Sequence, residues 1–156
     1  MYIIYMNNSS LIILTFIITG IWDLVLQFMS YNYNKLPKFI QWFEDPKILQ
    51  PYFKKHTLLS AVLLAGFSGA VAQIILLLIF KTYPKNIKSF IPFSILTFFV
   101  SGIVGLLMQY SQLYPILNQT YYKKLGKITG FYHDGVSGLI VQITLFVLLN
   151  ATKLFK

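Results

Sequence analysis

Polar and basic residues gather in bands that separate four long apolar runs, at 11–31, 57–80, 90–112 and 130–150. Each run is about 20 residues or longer, the length at which an α-helix crosses a hydrocarbon layer roughly 30 Å thick. In the first run Gly20, Asp23, Gln27 and Ser30 recur at helical spacing and form one stripe. Ile12, Phe16, Ile17, Ile21, Leu24 and Phe28 are then the side chains expected to meet lipid. The centre of the second run, 65–72, is rich in small residues, which let helices approach closely where lipid supplies no hydrophobic drive for association. Ser9 and Ser10 are placed to cap the first helix. The pattern predicts an all-α integral membrane protein, a single membrane domain over 1–156 folded as a four-transmembrane-helix bundle.

The connections fall at 32–56, 81–89 and 113–129. In the first, Leu36, Phe39, Ile40 and Phe43 have helical spacing, Pro37 suits a first turn and Trp42 adds an interfacial aromatic. An amphipathic helix on the membrane surface is expected at about 37–44; the alternative is an irregular loop packed on the bundle. Pro46 and Pro51 end it. Tyr31, Tyr33, Tyr83, Tyr110 and Tyr132 are among the tyrosines that cluster at the run boundaries, as an interfacial belt would.

The runs repeat. Residues 13–28 (ILTFIITGIWDLVLQF) return 82 positions later at 95–110 (ILTFFVSGIVGLLMQY), with eight of sixteen identical and no gap. The second and fourth runs match at an offset of 69: Gly66, Ser68 and Gly69 align with Gly135, Ser137 and Gly138, and Gln73 with Gln142. The implied unit is a helical hairpin duplicated in tandem, repeat one at about 11–80 and repeat two at about 90–150. A two-span unit keeps its orientation when duplicated, so the expected relation is the parallel kind, about an axis along the membrane normal. The repeat also argues against a cleaved leader at the N-terminus, where a basic n-region and a small-x-small cleavage site are both missing.

Composition sharpens this reading. Only 11% of residues are charged, against about 25% in soluble domains, too few to cover a water-facing surface. With no cysteine, disulfides and thiolate metal sites are excluded. The net charge of +9 comes from thirteen lysines and no arginine. These flank the apolar runs, which fits anionic lipid head groups; nucleic acid is not expected, since bidentate phosphate or base recognition uses arginine. The first and third connections hold eight lysines and the opposite side five, placing both termini outside by the positive-inside tendency. Heavy use of Lys, Asn, Ile, Tyr and Phe is a hint of an AT-rich source such as a large virus or an organelle.

Asp23 is the sharpest chemical candidate. It stands about 12 residues into its run, near the expected bilayer midplane, where an aspartate costs about 2.5–3.5 kcal/mol. The repeat has Gly105 at that position. Either Asp23 binds a proton or cation, or it is hydrogen-bonded to a neighbouring helix. His133 and Asp134 fall in the expected first turn of the fourth helix, where an acid suits the dipole; convergence with Asp23 on one wet site is the functional alternative. Gln27 and Gln109 lie toward one face, Gln73 and Gln142 toward the other, as interhelical hydrogen-bond partners or as lining of a polar path. Gly20, Gly66, Ser68, Gly69, Gly102, Gly105, Gly135, Ser137 and Gly138 form small packing faces. His56 and His133 have no metal-ligand spacing, and no phosphate loop or nucleophile elbow occurs, so no enzyme, cofactor or metal is expected.

The stretch 20–27, GIWDLVLQ, is similar to the G-x-x-D-x-x-x-Q element in the first span of the Mpv17/PMP22-type organelle membrane proteins, and Gly66-Phe67-Ser68-Gly69 to their second span. The chain lacks the later arginine, proline and tryptophan positions of that family. The residues themselves point first to transport or a pore, for protons, cations or small solutes, along a polar path of Asp23, Gln27, Gln109, Asp134 and His133. They point second to a structural or assembly protein of a viral or organelle membrane, without transport. Its partners would be the bilayer, a second copy or another membrane protein.

Overall fold

A computed structural model describes residues 7–38, 58–110 and 115–152. These form four long helices, α1 (Asn8–Tyr31), α2 (Leu58–Phe80), α3 (Ile87–Tyr110) and α4 (Pro115–Ala151), and a single 3-10 turn at Tyr33–Lys35. No strand occurs among the described residues. Each helix contains a stretch long and apolar enough to cross a membrane: Asn8–Leu26, Val62–Phe80, Ile87–Met108 and Gly130–Ala151. The expected surface helix at about 37–44 lies almost wholly outside the described residues.

Local chemistry sets the helix ends. Asn7, not Ser9 or Ser10, caps α1: its Oδ1 accepts the Ser10 N–H at 2.8 Å, so the helix begins a turn earlier than expected. Asn32 closes it, with both its backbone N–H and its side-chain Nδ2 donating to the Phe28 carbonyl. After α2, Lys81 takes a left-handed φ of 64° while its N–H reaches the Leu77 carbonyl at 2.8 Å. Asn86 caps α3 by accepting the Ser89 N–H at 3.0 Å.

The fourth helix departs from the sequence expectation. Residues 115–129, read above as connection, are helical and continuous with the apolar span. Pro115 is the first residue of α4, where its missing N–H costs nothing and its fixed φ suits a helix. Lys123, Lys124 and Lys127 have good helix propensity, and Leu117, Tyr121, Leu125 and Ile128 stand at helical spacing among them.

The main contacts run α1–α2, α2–α3, α3–α4 and α1–α4, and the pairs α1–α2 and α3–α4 are the most extensive. The helices therefore close into a ring in chain order. Leu76, Phe93, Leu145 and Leu149 fill its centre with no exposed surface. Phe93 gathers Phe80, Tyr83 and Phe90 around it at ring separations of 5.2, 5.2 and 6.4 Å. On the outside, residues 82 apart match: Ile13 and Ile95 are 60% and 59% exposed, Ile21 and Ile103 54% and 50%. The outward stripe of α1 is Ile13, Ile17, Ile21, Leu24 and Phe28. Ile12 and Phe16, expected to face lipid, are instead partly buried. Phe16 turns inward because its ring and carbonyl cover Gly66 of α2.

Glycine sets the closest approaches. A methyl group at Gly66 would lie 2.9 Å from the Phe16 carbonyl oxygen; one at Gly135 would lie 2.8 Å from that of Phe98. Gly20 meets Val62 and Gly102 meets Phe131; Gly69 meets Thr19 and Gly138 meets Ser101. In each of these three couples, the α3–α4 contact is the α1–α2 contact moved by 82 on the first helix and 69 on the second.

Candidate functional site

Polar groups inside the bundle sort into two levels. The first lies toward the α2–α3 turn. Hydroxyls here satisfy themselves on the preceding helical turn: Thr15 Oγ1 donates to the Leu11 carbonyl and Thr97 Oγ1 to that of Phe93, both at 2.8 Å. Thr15 Oγ1 also lies 3.3 Å from Gln73 Oε1. Gln142 Nε2 donates to the same Gln73 oxygen at 2.7 Å, joining α2 to α4 across the ring. Thr15, Gln73, Thr97 and Gln142 are all buried. Gln73 Nε2 and Gln142 Oε1 have no partner, so each amide bonds through only one of its two polar atoms.

Tyr83 completes this level from above. Expected in an interfacial belt, it is instead buried in the α2–α3 turn, its hydroxyl donating to the Gln142 carbonyl at 3.2 Å. Burial pushes its phenol above the usual tyrosine range. Outside it, a cavity of about 240 Å³ is lined by Phe80, Thr82, Tyr83, Pro84, Lys85, Asn86 and Ser89.

The carboxylates occupy the second level, toward the opposite end. Asp23 stands three residues before the end of the apolar stretch Asn8–Leu26, and Asp134 four residues after the start of Gly130–Ala151. Within the apolar stretch Asn8–Leu26, Asp23 therefore lies nearer the end than the middle expected from the sequence. Because α4 begins at Pro115, His133 and Asp134 sit well inside a helix and have no first-turn dipole role. His133 Nδ1 is 3.6 Å from Asp134 Oδ1, with both side chains partly buried. The Asp134 carboxylate lies over Gly105 of α3, in space that any side chain at 105 would take. Asp23 lies one turn beyond Gly20, the residue that meets Val62 of α2.

The side chains of Gln27 and Gln109 lie outside the described residues, although their backbones belong to α1 and α3. Sequence reasoning passed over Thr15, Thr97 and Tyr83. The two threonines carried a signal, since both recur at the offset of 82 and are polar within an apolar face. Trp22 Nε1 and Ser137 Oγ, flanking the carboxylate level on α1 and α4, are buried without a partner. Among the described residues no group of three His, Cys, Asp or Glu could hold a metal ion. Compared with known proteins, no family model, no curated protein and no solved structure matches the chain.

Proposed function

We propose that this is a multi-pass membrane protein made of two tandem, parallel helical hairpins, whose packed bundle serves as a structural or assembly element of its membrane. One observation carries the reading. The helix pairs α1–α2 and α3–α4 close on glycine at three corresponding couples, each too tight for a methyl group. Such contacts suit a rigid body. The terminus-bearing half is likewise filled, by fully buried Leu76, Phe93, Leu145 and Leu149 and the Gln73–Gln142 bond. Lysines in the connections would meet anionic head groups or an acidic partner at the surface.

Transport is the second reading, supported by a carboxylate in each helix pair at one level of the bundle, Asp23 and Asp134. Reconstitution into liposomes separates the two. The structural reading expects proton and cation flux equal to that of protein-free vesicles under every gradient. Flux through the wild type that Asp23→Asn abolishes, with both forms folded, would replace it with transport.

A further inference from the structure

In sequence, Asp23 aligns with Gly105 and Asp134 with Ala65, so the two aspartates are not counterparts. Packing changes that conclusion. In the α3–α4 pair, Ser101 meets Gly138 and, one turn along the same ridge, Gly105 meets Asp134. In the α1–α2 pair, Thr19 meets Gly69. One turn along that ridge the corresponding residues are Asp23 and Ala65. From this register we infer that each hairpin has one carboxylate slot between its helices, filled from the first helix by Asp23 in one pair and from the second helix by Asp134 in the other. Ala65 and Gly105 are then positioning residues, small because the carboxylate comes from across the interface.

Three observations support the slot over coincidence. Both aspartates stand within four residues of the corresponding ends of their apolar stretches, Asp23 before Leu26 and Asp134 after Gly130. Each slot has a carboxylate on one side and a residue no larger than alanine on the other. Gly105 leaves no space for a Cβ beside Asp134, so a carboxylate from both sides at once is sterically forbidden. The walls also correspond, Gly20 with Gly102, Leu24 with Leu106 and Gly69 with Gly138. The main difference is His133, beside Asp134, where the first hairpin has Leu64.

The inference rests on the duplicated-hairpin reading and is independent of whether the protein transports anything. Its test is a pair of double-mutant cycles on the full chain in lipid nanodiscs, read as folded fraction on heating. Gly105→Asp alone forces two carboxylates into one slot and lowers the folded fraction; adding Asp134→Ala restores it by about tenfold, a coupling typical of residues in direct contact. Ala65→Asp is rescued in the same way by Asp23→Gly. A purely steric role would not fix the carboxyl's surroundings, so carbon-13 aspartate infrared spectra supply a second readout. The carboxyl band of position 134 should reappear at unchanged frequency from position 105 in the Gly105→Asp/Asp134→Ala protein. Additive effects in both cycles, two doubles that fail to fold while Asp23→Asn and Asp134→Asn fold, or a band moved to the frequency of a solvated carboxylate would each overturn the slot. Flux in the wild type would remove the structural reading and leave these cycles intact; failed cycles without flux would do the reverse.

Discussion

The two helix pairs of this bundle close in the same register with different side chains. Phe16 covers Gly66 in one pair and Phe98 covers Gly135 in the other; Val62 against Gly20 corresponds to the larger Phe131 against Gly102. Where the backbones touch, both pairs use glycine. Where space remains, the pairs differ: Leu11 corresponds to Phe93, Trp22 to Val104 and Leu64 to His133. Backbone contact is the rigid constraint, because a carbonyl cannot move aside as a side chain can. For a bundle set in lipid, as proposed above, such contact rather than apolar transfer would hold the helices together.

The sharpest way to break the comparison is to add one methyl group at the backbone contact that both pairs share. Gly66→Ala and Gly135→Ala place a carbon within 3 Å of the carbonyls of Phe16 and Phe98. Each should cost about 2–3 kcal/mol, toward the upper end for overpacking, since the obstacle is backbone. Reversible unfolding in mixed micelles would measure both. Equal losses mean that the registers are energetically equivalent; a difference of more than about 1 kcal/mol would show that the common geometry hides unequal packing.

How much of this could be read from the chain depends on what the surroundings demand. Four apolar runs became four helices, each with a stretch long and apolar enough to cross a membrane, the setting in which backbone must satisfy its own hydrogen bonds. The offsets of 82 and 69 were legible as identities, but not which side chain each glycine would meet. The signal was harder to see beyond the longest apolar runs: 115–129 looked like a loop because of its lysines, Gly126 and Pro115, yet Leu117, Tyr121, Leu125 and Ile128 have helical spacing and the segment is helix. Tyr83 looked interfacial by position, and only the fold of the turn brings it beneath Phe93 and onto α4. The carboxylate candidates were visible as residues, while their relation required the packing of Asp134 over Gly105, the counterpart of Asp23 at the offset of 82.

A second pair of variants tests the centre of the ring. Leu76 and Leu145 are counterparts at the offset of 69, and neither exposes any surface. Leu76→Ala and Leu145→Ala should each cost about 2 kcal/mol, the low end for leucine truncation, because a lipid-facing reference state lacks most of the transfer contribution. A cost under about 0.5 kcal/mol in either would place a loosely packed centre there.

The glutamines sharpen the comparison where correspondence breaks down. Gln73 Oε1 accepts from both Thr15 and Gln142, whereas Gln142 Oε1 has no partner. Gln73→Leu therefore removes the Gln142 bond and the longer, shared approach of the Thr15 hydroxyl, and strands the Gln142 amide; Gln142→Leu removes one bond. About 1.5 kcal/mol is expected for the first and about 0.6 for the second, within the range of interhelical hydrogen bonds in membranes. A cycle with Thr15→Val should show coupling to Gln73→Leu and none to Gln142→Leu. Coupling to both would mean that the amides exchange roles between two orientations.

A comparably small effect belongs to Tyr83 in the α2–α3 turn. Tyr83→Phe keeps the ring against Phe93 and removes one hydrogen bond to the Gln142 carbonyl, a loss of about 0.5–1 kcal/mol at neutral pH. The alkaline limb of stability carries the more specific signature. Burial holds the Tyr83 phenol above its ordinary value of 10.0, so the unfolded chain releases this proton first as pH rises. The contribution of the neutral, buried phenol is full below about pH 10 and declines above it, as the unfolded state gains the ionised form. Tyr83→Phe should flatten that decline by one proton's worth of slope. An unchanged slope would mean that the phenol ionises equally easily in the folded protein, which a side chain closed between α4 and the Phe93 ring does not permit.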